Sequence, residues 1–428
     1  MQRTAIPPAP PATDGSVRLR ALRGITRRYY AVWLGYSFAG GFLYGVYPLF
    51  LRSRGLTQFE MNSVLACYFV VMFLTDVPTG AFADALGRRR SFMLGCALRV
   101  SAFFTYFFAH HYAMFVIAEA VDGIGTTFCN GAIDAWGVDA LDAAGFVGQK
   151  DRLFSRISQL MNLGFMAAAV IGASVANIDI AWPWLLGAAG FILSGIIGSA
   201  LMREGRAGKR VALSAIPVQI GRRVVAGLRE GFRSRAVLLL SLANAIFFAA
   251  WAPYWMQWPQ YFNDSYGVGI WVVGLVFCLF TTGRVSGAEA ISRLRLSNDT
   301  RARGMCVLVI GMGALLLFAG GAGHRTNFVL VALFAMNLCI GAMHPLVTSW
   351  FNEQLDAEHR ATLLSFNSTF ATLGGSMGLL LCGAIADAFG ITVAWQVSGI
   401  ISLTALPCYW ALRARRIAAP DALTHASD

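Results

Sequence analysis

Residues 76–91 read DVPTGAFADALGRRRS. The stretch holds Asp76 and Asp84, three consecutive arginines at 88–90, Pro78 and glycines at 80 and 87, and mostly apolar sequence flanks it on both sides. Charge is scarce elsewhere: the 428-residue chain is 57% hydrophobic and only 13% charged. So dense a polar patch between apolar runs reads as the point where a chain leaves a bilayer, turns and enters it again.

Outward from that loop, the chain divides into twelve mostly apolar runs, at about 29–51, 62–83, 92–110, 113–135, 155–177, 182–201, 236–258, 268–288, 304–321, 327–348, 361–386 and 391–412. Each reaches the length needed to span the hydrocarbon core, since ~20 residues at 1.5 Å rise cross it. A transmembrane barrel would show short alternating segments instead. The expected fold class is an all-α integral membrane protein of twelve transmembrane helices.

The formal net charge is +12. With the N-terminus placed in the cytoplasm, 29 of the 34 Lys and Arg residues fall on that side, three (Arg52, Arg54, Arg325) fall outside, and Arg99 and Arg284 lie within spans. This asymmetry follows the positive-inside rule and places both termini in the cytoplasm. Basic juxtamembrane segments meet anionic lipid head groups, so lipid rather than nucleic acid is the expected polyanionic partner. The 32 arginines against two lysines point to a GC-rich genome and so to a bacterial inner membrane. All eight cysteines sit in apolar runs without CxxC spacing, and they read as packing residues. No metal or cofactor is called for.

The longest polar interval, 202–235, carries nine Lys or Arg residues and parts the spans six and six. The expected organisation is a disordered tail over 1–28, a six-helix bundle over 29–201, a cytoplasmic linker over 202–235 with a basic amphipathic helix, a second six-helix bundle over 236–412, and a tail over 413–428. The halves echo one another: YPLFLRSRGLTQFEMNSV (47–64) and WPQYFNDSYGVGIWVVGL (258–275) stand at corresponding places, as do LGFMAAAVIGASVAN (163–177) and GGSMGLLLCGAIAD (374–387). Six-span repeats of this kind place a substrate site at mid-membrane between the halves.

GAFADALGRRR (80–90) resembles the signature loop of the major facilitator superfamily, with Gly80, Asp84, Gly87, Arg88 and Arg89 at the family's spacing. DVPTG before it, and HRATLLSFNSTFATLGGSMGLLLCGAIADAFG (359–390), are similar to the superfamily's drug:proton antiporter-like branch. The resemblance implies that the loop aspartate faces the N-terminus of span 11 and holds the cytoplasmic side shut, making these five residues a conformational latch. It also departs from the family: the expected copy of the loop after span 8, GRVSGAEAISRLRLSNDTRARG (283–304), is degenerate, and Glu119 stands in span 4 where such antiporters commonly carry an arginine before GIG (123–125).

Ionisable side chains within spans are costly and mark function or pairing. Glu119, Asp122, Thr126, Asn130 and Asp134 recur at intervals of three and four, so they share one face of span 4. Arg99 in span 3 lies at a depth like that of Asp122. A carboxylate held between a desolvating environment and an arginine can load and release a proton as access to it changes. Asp122, Glu119, Asp76 and Arg99 are therefore the proton-coupling candidates, with a static Arg99–Asp122 or Arg99–Glu119 ion pair as the structural alternative. Arg284, near the end of span 8, is explained by snorkelling to the interface.

Spans 1 and 7 line the cavity in the family that the loop resembles. Span 1 brings Tyr36, Gly40, Tyr44 and Tyr47 to one face; span 7 brings Asn244, Phe247, Trp251, Tyr254 or Trp255; span 10 adds Asn337 and His344. Aromatic faces beside carboxylates suit amphipathic or cationic organic molecules. GGSMG (374–378) matches the G-x-S-x-G pattern of serine hydrolases, but it lies inside an apolar helix without the strand–turn–helix context, so small-residue packing is the better reading. The sequence thus predicts a monomeric secondary transporter, not an enzyme. Its first reading is a proton-coupled antiporter exporting amphipathic or cationic molecules. The alternative is a proton-coupled importer or a siderophore or lipid exporter of the same fold.

Overall fold

The computed structural model describes residues 15–146, 151–203, 229, 231–294, 296–323, 325–354 and 357–412. Among them every regular element is a helix. The first half comprises α1 (Gly15–Gly41), α2 (Tyr47–Ser53), α3 (Gln58–Leu86), α4 (Arg88–Phe108), α5 (Tyr112–Ala143), α6 (Asp151–Ala176) and α7 (Trp182–Leu201). The second comprises α8 (Arg235–Tyr266), α9 (Trp271–Ser292), α10 (Asn298–Gly321), α11 (Thr326–Gln354), α12 (Ala357–Phe389), α13 (Ile391–Leu403) and α14 (Leu406–Leu412). Among the described residues, eleven spans have the length and apolarity to cross a membrane, the last of them running through α13 and α14. The remaining span, the first, is divided into α1 and α2, and its longer part carries Arg27 and Arg28. The chain is a multi-pass helical membrane protein.

Local chemistry explains the boundaries. Thr57 and Glu60 form a reciprocal capping box at the start of α3, and Ser234 and Ser297 cap α8 and α10. Gly45, at φ +85°, makes the break between α1 and α2; a Cβ there would stand 2.8 Å from Val273 Cγ1. Helix α1 begins at Gly15, inside the expected tail, because Arg18–Arg23 is built of good helix formers. The expected amphipathic linker helix lies almost wholly outside the described residues, as do residues 1–14 and 413–428.

Each half buries its own core: Trp184, Tyr106, Phe103 and Phe115 belong to the first, and Trp258, Trp350, Trp395 and Tyr409 to the second. Large apolar side chains such as Leu74, Phe108, Ile117, Ile192 and Val331 stay exposed, as they must on a surface solvated by lipid. Within the second half, α12 lies tight against α8. A Cβ on Gly374 or Gly378 would come within 2.1 Å of the carbonyl oxygen of Ala245 or Ala249. GGSMG is a packing surface, in line with its helical setting.

The halves meet through α3 against α12 and α6 against α9. Hydrogen bonds between them cluster at the end remote from the arginine-rich loop. Both oxygens of Asp387 accept backbone N–H groups at the start of α3, from Gln58 at 2.7 Å and Phe59 at 2.8 Å. Asn62 Nδ2 donates to Leu379 O, Gln260 Nε2 to Gln58 Oε1, and Arg52 pairs with Asp264.

Asp387 belongs to a repeat that the sequence reading missed. Gly383-Ala-Ile-Ala-Asp-Ala-Phe-Gly390 matches Gly80-Ala-Phe-Ala-Asp-Ala-Leu-Gly87 at six of eight positions. Both segments end a long helix and turn through a glycine in the left-handed region, Gly87 at φ +105° and Gly390 at φ +89°. The copies differ in what faces them. A Cβ on Gly383 would lie 3.0 Å from Asn62 Nδ2 and from Phe59 Cα, whereas a Cβ on Gly80 would meet nothing within 4 Å. The halves are thus pressed together at the Asp387 end and stand apart beside Gly80.

Candidate functional site

A cavity of about 590 Å³ lies between the halves, within the range of organic-ligand sites. Its first-half wall takes Tyr36, Gly40 and Tyr44 from α1, Tyr47 from α2, Tyr68 from α3, Arg99 and Tyr106 from α4, and Glu119, Asp122, Thr126 and Asn130 from α5. The second half supplies a narrower strip: Trp251, Ala252 and Trp255 from α8, and Phe277 and Arg284 from α9.

Arg99 and Asp122 are both buried and form a bidentate pair, Nε to Oδ1 at 2.8 Å and Nη2 to Oδ2 at 3.0 Å. The third guanidinium nitrogen donates to the Tyr36 hydroxyl at 2.8 Å, and the guanidinium carbon lies 4.2 Å from the centroid of the Phe191 ring. Two glycines make room for this arrangement. A Cβ on Gly125 would come 2.7 Å from Arg99 Cγ, and one on Gly95 would reach 2.5 Å from Cys129 Sγ.

Glu119, one turn towards the N-terminus of α5, is also buried but forms no ion pair among the described residues, the nearby Arg99 being taken by Asp122. Its Oε2 accepts from the Tyr106 hydroxyl, which lies 3.1 Å from the Tyr47 hydroxyl. The Tyr106 ring stacks on Trp184 at 3.9 Å, so this hydroxyl is held in place. Two acids three residues apart therefore differ in chemistry. Protonating Asp122 would forfeit two charge-assisted bonds. Glu119 faces hydroxyls, which can donate to a carboxylate or accept from a carboxylic acid, so either state can be hydrogen-bonded.

The other expected site residues are dispersed. Asp76 is exposed on α3, and its carboxylate has no partner among the described residues. Asp134, exposed at the far end of α5, accepts from Tyr29 Oη at 2.8 Å and Trp33 Nε1 at 3.2 Å, tying α1 to α5 outside the cavity lining. Asn244 donates to Asn367 at 2.8 Å, and Asn337 donates to the Tyr254 hydroxyl at 3.0 Å. These residues and Phe247 pack within the second half rather than on the cavity wall, while His344 is exposed beside Pro345. Arg88 binds Asp84 at 2.5 Å and approaches Asp139 at 3.7 Å, and Arg89 is exposed.

One placement is corrected outright. Arg284 does not snorkel to an interface: it lines the cavity, with Trp255 and Phe277 beneath its guanidinium. Phe277, Thr281 and Arg284 stand at i, i+4 and i+7, a shared helical face legible in the sequence but not used.

The family model described as Major Facilitator Superfamily matches residues 32–326 and, in a second overlapping match, 240–426. The chain belongs to the major facilitator superfamily and is a transporter. Among its relatives, the quinolone resistance protein NorA of Staphylococcus aureus (strain MSSA476) is 20% identical over 352 residues, which cover 81% of this chain and 86% of that protein. The uncharacterised MFS-type transporter YxaM of Bacillus subtilis (strain 168) is 20% identical over 397 residues, 89% of this chain and 94% of that one. Such relatives agree with the likeness of the loop and span-11 motifs to the drug:proton antiporter-like branch. The fold is shared with the nucleoside transporter NupG at a TM-score of 0.76 and 10% identity, covering 92% of this chain and 100% of that one. It is shared too with a D-xylose-proton symporter at a TM-score of 0.72 and 12% identity, covering 92% and 98%.

Proposed function

We propose that this protein is a proton-coupled secondary transporter that exports amphipathic, aromatic organic molecules across a bacterial inner membrane, with both termini in the cytoplasm. The observation that carries the reading is the buried Glu119, held by tyrosine hydroxyls on the wall of a cavity between two halves that are hydrogen-bonded together at the Asp387 end. In the proposed cycle Glu119 carries the proton. The Arg99–Asp122 pair holds α4 to α5 and orients Tyr36. Asp387 latches one end and Asp84 the other, in alternation, as the bundles rock around the cavity. The aromatic walls from Tyr36, Tyr44, Trp251 and Trp255 favour stacking cargo. The name of the relative NorA supports efflux.

A second reading, import with the proton, is favoured by the cationic Arg284 in the same cavity. An anion there and a proton on Glu119 would stabilise one another and so travel together. Proteoliposomes decide between the readings. Export by exchange requires that solute and proton fluxes run in opposite directions under an imposed pH gradient. Co-directional fluxes would establish import, and solute flux indifferent to the gradient would refute proton coupling in either form.

A further inference from the structure

Two arginines line the cavity, one from each half, and their surroundings differ in one respect. Arg99 lies among aromatic rings and has Asp122 as its counter-charge. Arg284 lies 5.1 Å from the Trp255 ring centroid and 5.9 Å from that of Phe277, and Nη2 donates to Thr281 Oγ1 at 3.0 Å. Among the described residues no carboxylate pairs with it. A guanidinium has five N–H donors in a planar fork, and leaving such a charge inside a membrane protein without a counter-ion is costly.

The neighbourhood is also rigid. Helix α11 presses on the backbone of Arg284 so closely that a Cβ on Gly341 would come 1.9 Å from its carbonyl oxygen. Tyr44 stacks on Phe277 at 5.1 Å with the planes 6° apart, and meets Trp255 edge-on at 5.7 Å. This places a preorganised fork with unused donors beside aromatic faces from both halves.

We infer that Arg284, walled by Tyr44, Trp255 and Phe277, is the subsite for the anionic group of the transported molecule, and that the cargo is an aromatic carboxylate or a zwitterion bearing one. A carboxylate matches the fork in shape and charge, and an attached ring extends over the aromatic faces. The inference refines the cargo from the cationic class that the sequence suggests. It rests on the cavity being the transport site, but its test reads binding alone.

The full-length protein in nanodiscs of neutral lipid is titrated with naphthoate and with naphthamide, which share a ring and differ in charge. The wild type binds naphthoate roughly tenfold or more tighter, as a charge-assisted bond requires. Arg284→Gln abolishes the difference, and Arg284→Lys keeps part of it. Arg284→Gln melts no lower than the wild type, because it breaks no ion pair. Equal binding of the two probes by the wild type, tighter binding of naphthamide, or a preference that survives Arg284→Gln would each overturn the inference. Failure of naphthoate to bind the wild type would do so independently of how any variant folds. Repeating the titration with anionic lipid added separates a lipid phosphate from a solute: loss of the naphthoate preference there assigns the site to lipid and overturns the cargo. Because no flux is measured, this result can fail while proton-coupled transport stands, or hold while it falls.

Discussion

Glu119 and Asp122 sit one helical turn apart on the same cavity wall, yet their partners give them different work. Asp122 is half of a buried ion pair, and removing one member of such a pair costs about 3–5 kcal/mol because the other charge is stranded. Asp122→Asn should therefore lower the melting temperature of the purified protein, and Arg99→Gln should do the same. Glu119→Gln strands nothing: the amide can still accept from Tyr106. Its melting temperature should stay near that of the wild type, while the pH dependence of solute flux flattens. A destabilised Glu119→Gln protein that keeps wild-type pH dependence would exchange the roles of the two acids. Pairing of Arg99 with an acid of span 4 was legible in the sequence, because both lie at one depth. Which acid it chooses was not, because Glu119 and Asp122 share a helical face, and only the packing of α4 against α5 selects one.

At the scale of the element, glycines report which surfaces are committed and which are held in reserve. Gly374 and Gly378 have carbonyl oxygens where a Cβ would go. Gly378→Val should then lower the melting temperature, with an overpacking cost of about 1–3 kcal/mol. Gly80→Trp should leave melting unchanged, since the space beside Gly80 is open, and should abolish transport by blocking closure of α3 on α12. A wild-type transport rate in Gly80→Trp would show that this surface never closes. At the other end, Asp387→Ala removes the acceptor for two backbone N–H groups at the start of α3. It should cost about 1 kcal/mol, as loss of a helix cap does, and loosen that end. Cysteine labelling at Phe59 would speed up accordingly.

Twelve spans could be counted because apolar length is a property of the sequence alone. The orientation of each span about its own axis is not. The aromatic stripe of α8 illustrates this: Trp251 and Trp255 reach the cavity, but Phe247 and Tyr254, close to them in angle, turn into the core of the second half. Helix α8 is apolar on most of its surface and carries Pro253 and Pro259, so its pattern does not say which face meets the other half. The setting of Asn337 was hidden for a related reason: its amide pairs with Tyr254 inside one bundle. The copy of the loop motif at Asp387 was readable by direct comparison of 80–87 with 383–390. It was missed because the family pattern directs attention to the loop after α9.

For the whole molecule, the two copies of Gly-Ala-x-Ala-Asp-Ala-x-Gly lie at opposite ends of neighbouring, oppositely directed helices. Asp387 meets the N-terminus of α3, where the helix dipole welcomes a negative charge, and the proposed cycle gives Asp84 the same part at the N-terminus of α12. Among the described residues the contact seen is that of Asp387. The central claim is that the two contacts exclude one another, so that the cavity opens to one side at a time. Double electron–electron resonance tests this most directly, with one spin-label pair at Leu86 and Leu364 and another at Phe59 and Phe389, in a cysteine-free background. The wild type should show two populations at each end that change in opposite senses with pH, and Gly80→Trp should keep only the one with Phe59 and Phe389 close and Leu86 and Leu364 apart. Distances at the two ends that lengthen and shorten together, or a Gly80→Trp protein that retains both populations, would contradict it.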